Sequence, residues 1–177
     1  STGKHFPGHG TVAGDSHVEL PIDERSLNEI ATKDLLPFAA LAGELDAVMP
    51  AHVIYPQIDS RCAGFSSVWI QEILRGQLGF EGVVFSDDLT MDAAHSAGSI
   101  QTRCELAMSA GCDMVLVCND NQAAAEICDF LEANPGRHAV ESQERLLRMR
   151  GKRPVANAVT AARSRYEQAA SLLATLS

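Results

Sequence analysis

The amino-acid sequence predicts an α/β fold built on a parallel sheet. Three observations carry that reading. Short apolar runs alternate with amphipathic helical stretches four times along the chain: Thr2-Gly3-Lys4-His5-Phe6, Leu45 to His52, Gly82 to Asp88, and Asp113 to Cys118. The later three runs are continuously apolar rather than alternating, the pattern of strands covered on both faces in a parallel sheet. The runs also stop abruptly in polar residues, at the strand edge where parallel α/β folds bind ligands. No G-x-G-x-x-G or Walker loop follows the first strand, which leaves a nucleotide-binding open sheet with little support. Four βα units are half of a (β/α)8 barrel, a fold of about 250 residues. The expectation is therefore the C-terminal half of such a barrel over residues 1–134, with a C-terminal helical segment over 135–177. A small four- or five-stranded open sheet is the alternative.

Taken in order, residues 2–6 read as the tail of a strand. Residues 4–17 then gather a lysine, three histidines, a carboxylate and several glycines with almost no apolar spacing, which is loop composition. Leu27, Ile30, Ala31, Leu35, Phe38 and Leu41 share one stripe and predict a single helix over about 26–42, stopped by Gly43. After the second strand comes a loop containing Pro56, Asp59, Cys62 and Gly64. Ser66 or Ser67 then caps a helix carrying Val68, Trp69, Ile73, Leu74 and Leu78. The third strand is followed by a helix over about 99–110, closed by Gly111. The fourth ends in Asn119-Asp120-Asn121 and leads into a helix over about 122–133. Beyond Pro135 the chain is polar and helix-prone, with helices expected over 141–150 and 158–176.

The 177 residues carry 14 basic against 23 acidic side chains, a net charge of −9, which argues against nucleic acid or an anionic membrane as partner because both need clustered Lys and Arg. No run approaches the roughly 20 apolar residues of a membrane span, and no secretory signal is visible. Cys62, Cys104, Cys112, Cys118 and Cys128 are odd in number and form no C-x-x-C pair. That suits reduced thiols in the cytoplasm better than a disulfide framework or a zinc site.

Two constellations stand out chemically. Asp87 and Asp88 directly follow Val83-Val84-Phe85. Neighbours on a strand point to opposite faces, so one should meet the mouth of the sheet and the other the loops or the wall. A carboxylate there can be nucleophile, base or metal ligand, or simply a cap for the next segment. Asp15 and His17, two apart in an extended loop, lie on one side. The carboxylate can then orient the imidazole for proton transfer, although D-x-H is a short pattern that also occurs in plain surface loops. Lys4 and His5 offer donors to a hydroxyl-rich or anionic ligand. His5, His9 and His17 lack helical H-x-x-x-H spacing and an evident further ligand, so no metal site is assigned. His52 reads best as a satisfied buried histidine.

Together, K-H-F-P-G-H-G, D-S-H, M-P-A-H-V-I-Y, G-F-E-G-V-V-F-S-D-D-L-T-M and A-G-C-D-M-V-L-V-C-N resemble family-3 glycoside hydrolases, and more narrowly the bacterial NagZ-type β-N-acetylglucosaminidases (β-hexosaminidases). The likeness runs through residues 2–121 and loosens after 122. It implies a TIM barrel and a retaining exo-glycosidase, without cofactor, acting on terminal β-linked GlcNAc. Its implied substrates are chitooligosaccharides or the GlcNAc–1,6-anhydro-N-acetylmuramyl peptides of peptidoglycan recycling. By motif, Asp87 is implied as the nucleophile, His17 as general acid/base, Asp15 as its orienting partner, and Lys4 and His5 as contacts to the sugar, with no catalytic role for Asp88. The D-S-H loop favours this branch over β-glucosidase-like members, and the presence of all three implied catalytic positions disfavours a non-catalytic carbohydrate-binding barrel. Further substrate contacts in the family come from the first half of the barrel. The chain is thus expected to be a fragment, or one part of an assembly in which a second chain supplies that half, and inactive or very weak alone.

Overall fold

The structure is a computed structural model that describes residues 1–9, 12, 20–135 and 140–150. The expected helix over 158–176, and Asp15 and His17, lie outside the described residues. Four strands form one parallel sheet in the order β1 (Thr2–Phe6), β2 (Ala47–Pro50), β5 (Val83–Asp88) and β6 (Met114–Leu116). Each pairs with the next in sequence among the four, as successive βα units of a barrel wall do. The strand ends all face one way, so the residues after Phe6, Pro50, Asp88 and Leu116 share one edge.

The helical layer covers one face. Ile30, Phe38, Trp69, Ile73, Leu74, Cys104 and Ala107 pack there on Phe6, Val48 and Val84. The sequence predicts strands covered on both faces, and here the structure differs. Thr2, Lys4, Met49, Phe85 and Leu116 line an open cleft of about 310 Å³ on the other side. Met114, on that side too, is 41% exposed. The apolar pattern therefore records a surface that must be covered, and among the described residues nothing covers it.

The single helix expected over 26–42 is two: α1 (Leu27–Ala31) and α2 (Leu35–Leu41). Ser26 begins α1 with a reciprocal capping box to Glu29. A continuous helix would bring the Pro37 ring against the carbonyl of Lys33 and lose a hydrogen bond there. Restarting at Leu35 puts Pro37 in a first turn, where the missing N–H costs nothing.

The loop expected over 56–64 holds a small antiparallel hairpin, β3 (Ile54–Tyr55) and β4 (Asp59–Cys62). Ser66 caps the next helix, its hydroxyl accepting from Trp69 N at 3.2 Å. That helix, Val68–Gln77, winds with wider π-type turns such as Leu78 N to Ile73 O at 2.9 Å. A short helix, α3 (Asp92–His95), precedes α4 (Ile100–Ala110). Ser99 caps α4, and Gly111 closes it at φ 118°, hard against the Gln71 and Ile70 side chains where a Cβ has no room. Asp120 caps α5 (Asn121–Ala133). No described helix is long and apolar enough to cross a membrane.

At the opposite edge, α6 (Val140–Arg148) is clamped to the sheet through one buried carboxylate. Asp113, 1% exposed, accepts from Arg75 Nη2 at 2.9 Å, from Arg145 Nη2 at 2.8 Å and from Val84 N at 2.8 Å. Removing one partner of such a cluster leaves charge buried without compensation. Asp113→Ala should lower unfolding free energy by about 3–5 kcal/mol, measured by urea titration. A loss below about 1 kcal/mol, the range of an exposed ion pair, would contradict the clamp.

Candidate active site

The two carboxylates at the end of β5 have different partners. Asp87 accepts from the Asp88 amide on Oδ1 at 2.9 Å and brings its Oδ2 within 3.8 Å of His5 Nε2. Asp88 is taken up by the loops. Its Oδ1 accepts from Thr90 N at 2.9 Å, Thr90 Oγ1 at 2.8 Å and Cys118 N at 3.1 Å. One oxygen thus ties the end of β5 to its own following turn and to the segment after β6. Asp88 is also where the β5–β6 register slips, the pairs being Phe85 with Met114 and Asp88 with Leu116. That is one residue more on β5 than on β6, the count of a bulge.

A second bulge sits at the end of β1. Lys4 pairs with Met49 but Phe6 with Pro50, which makes His5 the extra residue. Strict alternation would put Lys4 and Phe6 on one face. Instead Lys4 is exposed at the open cleft, while Phe6 is fully buried between Phe38 and Trp69, with ring centroids 5.2 and 5.9 Å away. The bulge re-aims His5 along the strand end, and its Nε2 reaches within 3.8 Å of Asp87 Oδ2. The His9 ring lies edge-on to His5 at 6.3 Å. The structure therefore brings Lys4, His5 and Asp87 together on one edge, with Asp87 13% and His5 34% exposed at the side chain. Among the described residues, no cluster of three or more His, Cys, Asp or Glu could hold a metal ion.

Behind Asp87 lies His52, fully buried. Its Nε2 is 3.1 Å from the Asp88 carbonyl, which can only accept, so Nε2 carries the proton. Nδ1 is then the acceptor for the Cys62 thiol at 3.8 Å. Burial pushes the Cys62 thiol up to about 12, which keeps it a donor. Burial also lowers the His52 pKa from its ordinary 6.5, against the opposing pull of Asp87. His52 is thus a neutral strut under the β5 end, as its place after an apolar strand suggested. The hairpin carrying Cys62 and Tyr55 stands where the sequence predicts only a loop. A signal for it existed in Val53-Ile54-Tyr55 followed by Pro56-Gln57, a β-run ending in a turn.

Residues 1–149 match the model of the glycosyl hydrolase family 3 N-terminal domain. The chain is 59% identical over 152 residues to a β-hexosaminidase of Pseudomonas aeruginosa, covering 86% of this chain and 45% of that protein. It is 55% identical over 141 residues to a β-hexosaminidase of Tolumonas auensis, covering 78% of this chain and 42% of the relative. NagZ from Neisseria gonorrhoeae in complex with N-trifluoroacetyl-D-glucosamine superimposes with a TM-score of 0.78 at 45% identity, over 91% of this chain and 45% of that one. The chain thus spans less than half the length of these relatives.

The buried neutral state of His52 makes stability depend on pH. Below 6.5 the unfolded chain takes up a proton that the folded chain refuses, so stability is full above 6.5 and falls as pH drops toward the lowered folded value. The slope for one such proton is at most about 1.4 kcal/mol per pH unit. His52→Gln keeps an N–H donor but cannot titrate. The variant should lose less stability than the native protein between pH 7 and 5 in denaturant titrations, and superimposable pH profiles would contradict the assignment.

Proposed function

The chain belongs to glycosyl hydrolase family 3, and on that premise we propose that it forms the nucleophile-bearing half of a retaining exo-β-N-acetylglucosaminidase. The observation that carries the reading is the division of labour after β5. Asp87 turns its Oδ2 to His5, 3.8 Å from Nε2, while Asp88 is held by Thr90 and Cys118. A retaining mechanism needs a carboxylate below the anomeric carbon and a proton donor at the leaving oxygen. In the first step Asp87 attacks C1, the C1–O bond breaks, and His17 gives its proton to the departing oxygen. In the second, His17 takes a proton from water as that water attacks C1 and releases Asp87. Asp15 orients His17. His17 is an imidazolium when it gives the proton and a neutral imidazole when it takes one, and neither form adds negative charge opposite Asp87. Lys4 and His5 hold the hydroxyls of the non-reducing sugar at the end of β1.

The substrate is a terminal β-linked GlcNAc, in GlcNAc–1,6-anhydro-N-acetylmuramyl peptides or chitooligosaccharides, and the setting is cytoplasmic peptidoglycan recycling. Five cysteines with no disulfide among them and an acidic net charge support that setting. The open face, with Lys4, Met49, Phe85 and Leu116 along it, needs covering by the other half of a barrel, from the same polypeptide or a second chain. A C-terminal helical segment over 135–177 that packs on or extends from the barrel completes the proposal, supported for α6 alone by its Arg145–Asp113 ion pair.

The test is made on the full-length enzyme. His17→Ala should lower kcat/KM by about 100-fold or more on substrates with poor leaving groups, the scale of one general acid, and far less on aryl GlcNAc substrates with good ones. Native enzyme should also hydrolyse aryl β-GlcNAc well ahead of aryl β-glucoside. Equal losses on all leaving groups would refute the acid role, and glucoside preference would refute the substrate.

A further inference from the structure

The run Ser86-Asp87-Asp88-Leu89-Thr90 closes β5, and the bulge against β6 falls inside it. A bulge takes strand groups out of the regular ladder, and those groups must find other partners. Side chains supply them here. On β6, Leu116 N donates to Ser86 Oγ at 2.9 Å, so a side-chain oxygen stands in the ladder. Ser86 is fully buried, which leaves its hydroxyl committed to that place. Beyond the bulge the ladder resumes, with Leu89 N donating to Leu116 O at 2.9 Å. Thr90 then folds back. Its N–H reaches Asp88 Oδ1 at 2.9 Å, and its Oγ1 lies 2.8 Å from the same oxygen and 3.1 Å from the Cys118 carbonyl. The hydroxyl has one proton, and the carboxylate is the stronger acceptor for it.

Both backbone groups of Asp88 are engaged as well. Its carbonyl accepts from His52 Nε2 at 3.1 Å and from Met91 N at 3.2 Å. Its N–H donates to Asp87 Oδ1 at 2.9 Å. That last bond makes the two oxygens of Asp87 unequal. An oxygen that already accepts an N–H is the poorer nucleophile, because the proton draws on its lone pair. Oδ2 lies 3.8 Å from His5 Nε2, beyond hydrogen-bond length. One oxygen is held, and the other is turned to the end of β1.

We infer that Oδ2 is the oxygen of Asp87 that bonds to the sugar, and that Ser86 and Thr90 are positioning residues that hold it in line, one through the bulge and the other through Asp88. The inference rests on the function proposed above. In the step concerned a lone pair of Oδ2 forms the bond to C1, and the C1–O pair leaves with the aglycone oxygen. An activated phenol departs as the phenolate and needs no proton, so its departure reads the placing of Asp87 without the acid. Small displacements of a nucleophile cost rate steeply. Binding of the sugar draws on Lys4 and His5 of β1, and loosening the end of β5 leaves it in place.

The experiment compares Ser86→Ala, Thr90→Val and Thr90→Ser with the native full-length enzyme. A fluorinated GlcNAc analogue with an activated aryl leaving group gives the rate of covalent trapping, and competitive inhibition by free GlcNAc gives the affinity for the sugar. Ser86→Ala and Thr90→Val should each trap about tenfold more slowly, the scale of one hydrogen bond to a charged group, with GlcNAc affinity changed less than about twofold. Thr90→Ser keeps the hydroxyl and should trap within about threefold of native. Thr90→Ala carries the same test if Thr90→Val does not fold. A crystal structure of the trapped native enzyme should show C1 on the oxygen turned to His5, with Asp88 N still donating to the other. Three results overturn the proposal: trapping and affinity lost together, Thr90→Ser as slow as Thr90→Val, or C1 on the oxygen that Asp88 N holds. Trapping on Asp88 in the native enzyme refutes the nucleophile assignment, and the proposal falls with it. Trapping on Asp87 at native rates in the variants counts against Ser86 and Thr90 alone.

Discussion

The site depends first on what one oxygen of Asp88 does. Three donors from two loops converge on its Oδ1, the Thr90 amide and hydroxyl and the Cys118 amide. A carboxylate accepting several hydrogen bonds is strongly oriented. Asp87, the residue before it, then brings its Oδ2 to 3.8 Å from His5 Nε2. Thr90 Oγ1 also reaches the Cys118 carbonyl at 3.1 Å, so the ends of β5 and β6 are joined on both sides of the peptide. From beneath, His52 supports the Asp88 carbonyl. The candidate nucleophile is thus held through its neighbour, whose amide also donates to its Oδ1 at 2.9 Å, and its Oδ2 lies beside His5.

The opposite wall is set by packing. Phe6 is committed to the aromatic cluster with Phe38 and Trp69, and that commitment forces the bulge that turns His5 toward Asp87. The hairpin of Ile54–Tyr55 and Asp59–Cys62 links the two walls. Through Tyr55 it holds the segment leaving β1, and through Cys62 and His52 it holds the end of β5. Core and site are continuous here: a side chain lost from the aromatic cluster would move His5 as well as cost burial energy.

Much of this was legible in the sequence, and the reasons differ from element to element. The strands showed because continuous apolar runs between amphipathic stretches have few other readings. The helix over Ile100–Ala110 was legible at its C-terminal end from Gly111, while the Ser99 cap shows only in the structure. Strand period predicted that Asp87 and Asp88 would part, but a bulge between Phe85 and Asp88 interrupts that period, and their different partners come from the loops instead. The bulge at His5 left no trace in composition, since a slip of one residue changes register without changing residue types. The break between α1 and α2 was readable in Pro37, but the apolar stripe spanning Leu27 to Leu41 outweighed it. The Tyr55–Gly8 hydrogen bond arises only when residues distant in sequence meet, which no local pattern encodes. The uncovered face is the physical counterpart of a chain that spans under half of its relatives.

The central claim is that Asp87, rather than its neighbour, forms the bond to the sugar. The most direct measurement treats the full-length enzyme with a fluorinated mechanism-based GlcNAc analogue, digests it, and locates the adduct by tandem mass spectrometry. The expected result is one adduct per site, on the Asp87 carboxylate. An adduct on Asp88, or no adduct in an enzyme that turns over the parent substrate, would contradict it.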